Sequence, residues 1–321
     1  LLMTNRTTQR PKGIGNLISS LTQTVEREKP DFIVFLGDRE ESIACAIVAN
    51  YMNILSVHIG GGDTVYGNAD DPIRFACSEL SHIHFTTSEQ YKNNLLALGE
   101  ESKRVFNVGN PIYSSIAKEP VIGKKKLSKL LDFELGDYLV VLQHPLSSES
   151  DQCLSQMESL LESVIKFLED HNMKAVGIYP NTDPGSYDIL SVIDKNKSDL
   201  IKFYKNLPRD LFINLMRNAK ALVGNSSMGI LEGPFYKLPV INVGDRQMGR
   251  LNAGNVEFVD FTHKNITRAI KRAVFDNKYI DEVKNLINPY GVGNTEKLIL
   301  SELKKIDVND KSWHVKKKYF D

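Results

Sequence analysis

The chain has 321 residues, with 40 basic and 40 acidic side chains. That length suits two domains with sizeable cores, and the even charge argues against a nucleic-acid surface and against an acidic disordered solubiliser. Cys45, Cys77 and Cys153 are odd in number, far apart and in no CxxC, which excludes a disulfide framework and a cysteine zinc site. They read as core residues of a reducing cytoplasm. No apolar run approaches the ~18 residues of a membrane span, and Leu1-Leu-Met-Thr-Asn-Arg6 has no signal core. The abrupt start, without an initiating Met, leads us to expect further residues upstream.

Gly13-Ile-Gly15 opens a helical pattern through about Glu28; with no strand before it and no third glycine, it is a helix start rather than a dinucleotide fingerprint. The spacing then predicts strand 31–36, ending in Gly37-Asp38-Arg39-Glu40, and helix 43–51. Strand 54–59 follows, stopping at Gly60-Gly61-Gly62-Asp63. Helix 72–81, strand 83–85, helix 89–98 and strand 104–108 come next. Residues 118–137 read as an interdomain connection with a short helix. The alternation restarts with strand 138–142, helix 152–169, strand 174–179, helix 186–193, strand 200–204 and helix 210–217. Strands at 221–223 and 239–243 and helices at 265–275 and 295–304 complete it, ahead of a loose surface tail from Asp307 with Lys316-Lys-Lys318. Strands that alternate with helices and end in Gly and a polar residue predict an α/β chain of two doubly wound parallel sheets. Ligands of such sheets bind beyond the carboxyl ends of the strands.

Leu222-Val-Gly-Asn-Ser-Ser-Met-Gly-Ile-Leu-Glu-Gly-Pro234 combines a strand end, a small-residue turn and a helix start. Free N–H groups and the helix dipole make such a turn an anion site. Ser226 and Ser227 add hydroxyls, Gly229 keeps the first turn bare for a phosphate, and Glu232 suits a ribose diol. The plainer reading is an Asn/Ser helix cap that binds nothing.

With these residues laid out, the chain resembles the UDP-N-acetylglucosamine 2-epimerase family, nearest to its hydrolysing branch, which makes N-acetylmannosamine for sialic-acid-type sugars. The resemblance rests on Leu36-Gly-Asp-Arg39, Gly61-Gly-Asp63 with Asp70-Asp-Pro-Ile-Arg74, and Leu142-Gln-His-Pro145. Tyr179-Pro-Asn-Thr-Asp-Pro-Gly-Ser186, Gly224-Asn-Ser-Ser227, Val240-Ile-Asn-Val-Gly-Asp-Arg-Gln-Met-Gly-Arg250 and Asn288-Pro-Tyr-Gly291 extend it. It covers roughly residues 13–305, and order and spacing carry it more than any single motif. It implies two Rossmann-like domains facing across a cleft, the arrangement called GT-B. The first would take residues 1–120 and the second, nucleotide-binding domain 121–293. A final helix at 294–306 would cross back, and 307–321 would form the tail.

The resemblance also implies anti elimination of UDP to a 2-acetamidoglucal, then addition of water. Asp38, Asp63 and one of Asp70 or Asp71 would be the catalytic carboxylates; carboxylates crowded in one site separate into an acid and a base. His144 would neutralise the leaving phosphate or relay a proton. Ser226, Ser227 and Gly229 would hold the diphosphate, Glu232 the ribose, and Arg74 and Arg246 would orient carboxylates or phosphate. Each has a plainer alternative. Asp38 can cap the next helix, Asp63 can be a turn residue, and one of Asp70 and Asp71 can cap the helix at Pro72. His144 can be a satisfied loop histidine, Arg74 a carboxylate's partner and Arg246 a solvated charge. His82 and His84 read as structural. The partner implied is a UDP-sugar, with no nucleic acid, membrane, metal or cofactor, in a homo-oligomer (dimer or tetramer).

This sequence departs from the family pattern at four places. Asp63 stands where Glu is commoner, shortening its reach by ~1.5 Å. Phe75 replaces a histidine, Leu231 an arginine, and the family's first strand with its Gly/Arg loop has no counterpart, so the first sheet is expected to lack its central strand. The alternatives are a non-hydrolysing 2-epimerase, a glycosyltransferase of the same architecture, and a degenerate nucleotide-sugar binder.

Overall fold

A computed structural model describes residues 10–64 and 71–315. The chain divides into two compact units: the described residues of Leu1–Thr64, Ala69–Ser114 and Pro289–Asp321 form one, and those of Ser115–Asn288 the other. Asp70 and Lys316–Lys318 lie outside the described residues.

In the first unit, helices α1 (Arg10–Glu28), α2 (Glu40–Tyr51), α3 (Asp71–Leu80) and α4 (Glu89–Ala97) accompany four strands. These are β1 (Phe32–Leu36), β2 (Leu55–Ile59), β3 (Ile83–Thr86) and β4 (Val105–Asn107), all parallel and in sequential order across the sheet. Alternate side chains serve opposite faces, as the strand period requires. Ile33 and Phe35 pack with Val25, Val48 and Cys77 from the helices on one side. Leu55, Val57, Ile83 and Phe85 fill the other. β1 lies at a sheet edge, and its Val34 and Leu36 remain 49% and 61% exposed.

The chain passes into the second unit within α5 (Ile112–Lys118). There follow α6 (Lys124–Leu131), β5 (Tyr138–Leu142), α7 (Cys153–His171), β6 (Lys174–Ile178), α8 (Ser186–Lys195) and β7 (Ile201–Tyr204). The unit continues with α9 (Arg209–Asn218), β8 (Ala221–Gly224), α10 (Met228–Leu231), α11 (Gly233–Tyr236), β9 (Val240–Val243), β10 (Val256–Val259), α12 (His263–Phe275) and α13 (Asn277–Asn285). Residues 118–137 are therefore less of a linker than expected, because Leu127 and Leu131 of α6 are buried beside Val140 and Leu222. The six parallel strands run β10-β9-β8-β5-β6-β7. From β5 the chain winds to one side through β6 and then resumes on the other at β8, so the β5–β8 boundary is the topological switch point. In open parallel sheets that is where ligands bind.

Two further helices, α14 (Thr295–Leu303) and α15 (Lys311–His314), belong to the first unit. Ile299, Leu303 and Trp313 pack against Leu55, Val57 and Ile83, and Thr295 Oγ1 donates to the Val108 carbonyl at 2.9 Å. The expected loose tail is held through Val315. Arg104, fully buried, pairs with Glu101 and donates to the carbonyls of Ser312, Trp313 and Val315 at 2.6, 2.8 and 2.8 Å. Among the described residues, no helix is long and apolar enough to cross a membrane.

Candidate functional site

In the first unit the acidic residues gather at the carboxyl edge of the sheet. The register Leu36↔Ile59 sets the turn after β1 beside the turn after β2. Asp38 follows one, Asp63 the other, and Arg74 of α3 ties them together. Its Nη2 donates to Asp38 Oδ2, its Nη1 donates to the Gly60 carbonyl at 3.0 Å, and Nη1 lies 3.9 Å from Asp63 Oδ2. The three side chains are 17%, 6% and 11% exposed for Asp38, Asp63 and Arg74, dry enough for charge-assisted bonds to be strong. Asp38 does not cap α2: the N-cap is Arg39, and the Asp38 carboxylate goes to Arg74. Asp71 is the first residue of α3, where a carboxylate meets the helix's free N–H groups. Phe75, next to Arg74, is half-buried.

His82 and His84 are structural. His82 Nδ1 lies 2.9 Å from Ser56 Oγ, and His84 Nε2 lies 3.2 Å from Glu100 in the buried interior.

In the second unit the switch point brings His144, Asn225 and Arg246 together from the ends of β5, β8 and β9. Gly224 has φ +134°, and a Cβ there would collide with the Leu142 carbonyl, so only glycine lets β8 turn so close to β5. Asn225 is the hub. Its Oδ1 accepts the His144 N–H at 2.7 Å while its Nδ2 donates to the His144 carbonyl at 2.8 Å. Its own carbonyl accepts from Arg246 Nη1 at 3.2 Å and Gln247 Nε2 at 3.1 Å. Arg246 is thus drawn onto the turn rather than left in solvent.

His144 has a defined tautomer. Its Nδ1 accepts the backbone N–H of Asn181 at 3.0 Å, so the ring proton sits on Nε2. Burial, and then the Arg246 guanidinium, push its pKa down to about 3. The imidazole is therefore a neutral Nε2–H donor at ordinary pH, and Nε2 has no partner among the described residues. This favours hydrogen bonding to an anion over carrying a positive charge to it.

Two expectations about the serine turn change. α10 is a single four-residue turn, because Glu232-Gly-Pro234 stops it: Pro234 lacks an N–H and crowds the turn before it. So short a helix has little dipole. Gly229, moreover, is bare toward the sheet: a Cβ there would lie 2.7 Å from Val240 Cγ1 and 3.2 Å from Leu222 Cδ2. Its N–H is used by the Ser226 carbonyl at 3.0 Å. What remains for an anion is the N–H and hydroxyl groups of Ser226 and Ser227, which make no hydrogen bond among the described residues, together with Arg246 and the His144 Nε2–H.

Glu232 sits at the break between α10 and α11, half-buried. Burial raises its pKa to about 7, against a smaller opposing pull from Arg209. An uncompensated buried carboxylate is costly, which marks the position as a functional candidate. Asn225, Asn181 and Gln247 escape sequence reading as site residues. Asn225 and Gln247 stand inside conspicuous motifs, but the tie from Asn225 to His144 spans 81 residues.

A family model described as UDP-N-acetylglucosamine 2-epimerase matches residues 1–304. A Campylobacter jejuni protein named GDP/UDP-N,N'-diacetylbacillosamine 2-epimerase (hydrolyzing) is 37% identical over 249 residues, 76% of this chain and 64% of that protein. The chain thus spans a little under two thirds of that relative's length. A Legionella pneumophila protein named UDP-N,N'-diacetylbacillosamine 2-epimerase (hydrolyzing) is 32% identical over 301 residues, 93% of this chain and 77% of that one. The fold matches the crystal structure of UDP-GlcNAc 2-epimerase from Neisseria meningitidis bound to UDP-GlcNAc, with TM-score 0.82 at 23% identity over 95% of this chain and 84% of that one. On the family match and these identities, the chain belongs to the UDP-N-acetylglucosamine 2-epimerase family.

Proposed function

We propose that the chain is a hydrolysing 2-epimerase of UDP-activated 2-acetamido sugars, with the first unit supplying the proton-transfer groups and the second holding the nucleotide. The observation that carries this reading is the Asp38–Arg74–Asp63 cluster, two carboxylates gathered on one guanidinium at the carboxyl edge of a parallel sheet. A module that only bound a nucleotide sugar would have little use for acidic groups there. A carboxylate of this cluster takes the C2 proton, and the C1–O bond to the diphosphate breaks with its electron pair leaving on UDP. The product is a 2-acetamidoglucal. Water then adds across its double bond, oxygen to C1 and hydrogen to C2 from the opposite face, releasing the free epimerised sugar of the N-acetylmannosamine type. Asp71 is the third described candidate for proton transfer.

Departing negative charge needs donors already in place. Ser226, Ser227, Arg246 and the His144 Nε2–H supply them, and Glu232 accepts from the ribose hydroxyls. The Gln143-His144-Pro145 motif and the names of the Campylobacter jejuni and Legionella pneumophila relatives support the hydrolysing branch. Those names also support an N,N'-diacetylated sugar as an alternative substrate to GlcNAc, and GDP as an alternative carrier to UDP.

Phosphorus NMR on purified protein with UDP-GlcNAc, and separately with UDP-N,N'-diacetylbacillosamine, tests the reading. We expect one of them to give UDP and free 2-epimer without an acceptor. Conversion to another UDP-sugar without UDP release would make the enzyme non-hydrolysing. UDP release only with an added acceptor would make it a glycosyltransferase, and binding of both without turnover would leave a nucleotide-sugar binder.

A further inference from the structure

One buried histidine outside the proposed machinery supports both acidic turns. His58 lies on β2, in register with Phe35 of β1, and is fully buried. Its Nε2 is 2.9 Å from the Gly37 carbonyl oxygen. A carbonyl only accepts, so Nε2 carries the proton. Nδ1 lies 3.0 Å from Ser78 Oγ. Phe35 stacks on the imidazole, with ring centroids 5.2 Å apart and planes at 26°. Gly61 closes against the same pair: a Cβ there would lie 2.7 Å from Ser78 Oγ and 3.0 Å from His58 Nδ1.

These contacts connect three pieces of backbone. Gly37 immediately precedes Asp38. Gly61 is two residues before Asp63. Ser78 stands one turn after Arg74 on α3, and its Oγ lies 3.2 Å from the Arg74 carbonyl. The imidazole thus sits behind every member of the acidic cluster, with both ring nitrogens engaged.

We propose that His58 is the positioning residue of the cluster, holding the Gly37 carbonyl by its Nε2–H and, together with Ser78, packing against the Gly61 backbone so that Asp38 and Asp63 meet the Arg74 guanidinium. This rests on the proposed reaction, because only turnover makes the placement matter. His58 touches no substrate; it acts through the turns.

The test compares His58→Phe and His58→Gln in the full chain, using whichever of the two sugar nucleotides turns over. Phenylalanine keeps an aromatic ring against Phe35 but loses both hydrogen bonds, whereas glutamine keeps an N–H able to reach the Gly37 carbonyl. We expect His58→Phe to lower kcat roughly 10- to 100-fold with UDP affinity held within about twofold, and His58→Gln to recover most of the loss. If His58→Phe does not fold, Ser78→Ala gives the reading, with kcat falling at least about threefold at unchanged UDP affinity. A folded His58→Phe, or failing that Ser78→Ala, with wild-type kcat overturns the positioning role. So does a loss that glutamine does not recover and that comes with weakened UDP binding, which would make His58 an ordinary core residue. Wild-type protein without UDP release or C2 exchange overturns the proposed function, and this inference with it.

Discussion

Asp38→Asn is expected to slow exchange of the sugar C2 proton by roughly 10²- to 10⁴-fold, the usual contribution of a positioned general acid or base. UDP affinity should stay within about threefold of wild type, because the groups assigned to the nucleotide belong to the second unit. The expectation follows from where the side chain goes. Asp38 could have capped α2, and its substitution would then cost only about 1 kcal/mol of stability. Instead its carboxylate meets Arg74, whose other guanidinium nitrogen serves the Gly60 carbonyl and approaches Asp63. Asparagine keeps the shape and removes the charge, so Arg74 retains Asp63 as a nearby counter-ion and the turn has no reason to collapse. An Asp38→Asn variant that exchanges the C2 proton at the wild-type rate would reduce Asp38 to a structural partner of Arg74.

Glu232→Gln is expected to have opposite effects on folding and on binding, both tied to pH. The folded carboxyl titrates at about 7 against an ordinary 4.5, so the native state holds its proton more tightly than the unfolded chain. Stability from this group is therefore full below about pH 4.5 and is lost as pH rises through about 7. The difference corresponds to roughly 3 kcal/mol at pH 8. Glutamine stays neutral, so the variant should unfold at higher denaturant than wild type at about pH 8 and at nearly the same denaturant at about pH 5.

Binding runs the other way. If the ionised carboxylate accepts the ribose hydroxyls, wild-type affinity for UDP should climb as pH rises through about 7 and then level off. The glutamine variant should bind more weakly and keep only the smaller climb that the second ionisation of the UDP terminal phosphate contributes. His144 adds no slope there, since it is already neutral. A variant that keeps the wild-type pH dependence of UDP binding would remove Glu232 from the nucleotide site, and one with no stability gain near pH 8 would contradict its burial.

Much of this was legible in the sequence because parallel α/β units announce themselves locally. Strands such as Tyr138–Leu142 and Ala221–Gly224 are short apolar runs ending in Gly or polar residues, and the structure places them within a residue or so of the expected spans. Elements without that local signature escaped. β10 is a four-residue edge strand whose first three residues are only half-buried, so neither period nor hydrophobicity marks it. α13 is predominantly polar and depends on Asp276, which caps its first N–H groups. The helix after Ser227 misled through Met228, Ile230 and Leu231, whose apolar spacing suggested a longer run than Pro234 permits.

The acidic and serine motifs were visible as motifs, but their supports were not. His58 stands in an apolar strand and looks like one more core residue. Its significance lies in Gly37, 21 residues before it, and Ser78, 20 residues after. The place of Gly229 in the turn points to phosphate, whereas the fold uses its small size against Val240. In each case the deciding neighbour is supplied by tertiary structure.

If the chain removes and replaces the proton at C2 while expelling UDP, the hydrogen at C2 of the released sugar comes from solvent. Proton NMR of the sugar released in D2O measures that directly. Free 2-epimer carrying deuterium at C2, formed in step with UDP, is the expected result. Released sugar that keeps its original C2 proton and configuration would show plain hydrolysis at C1, and the elimination described above would be wrong.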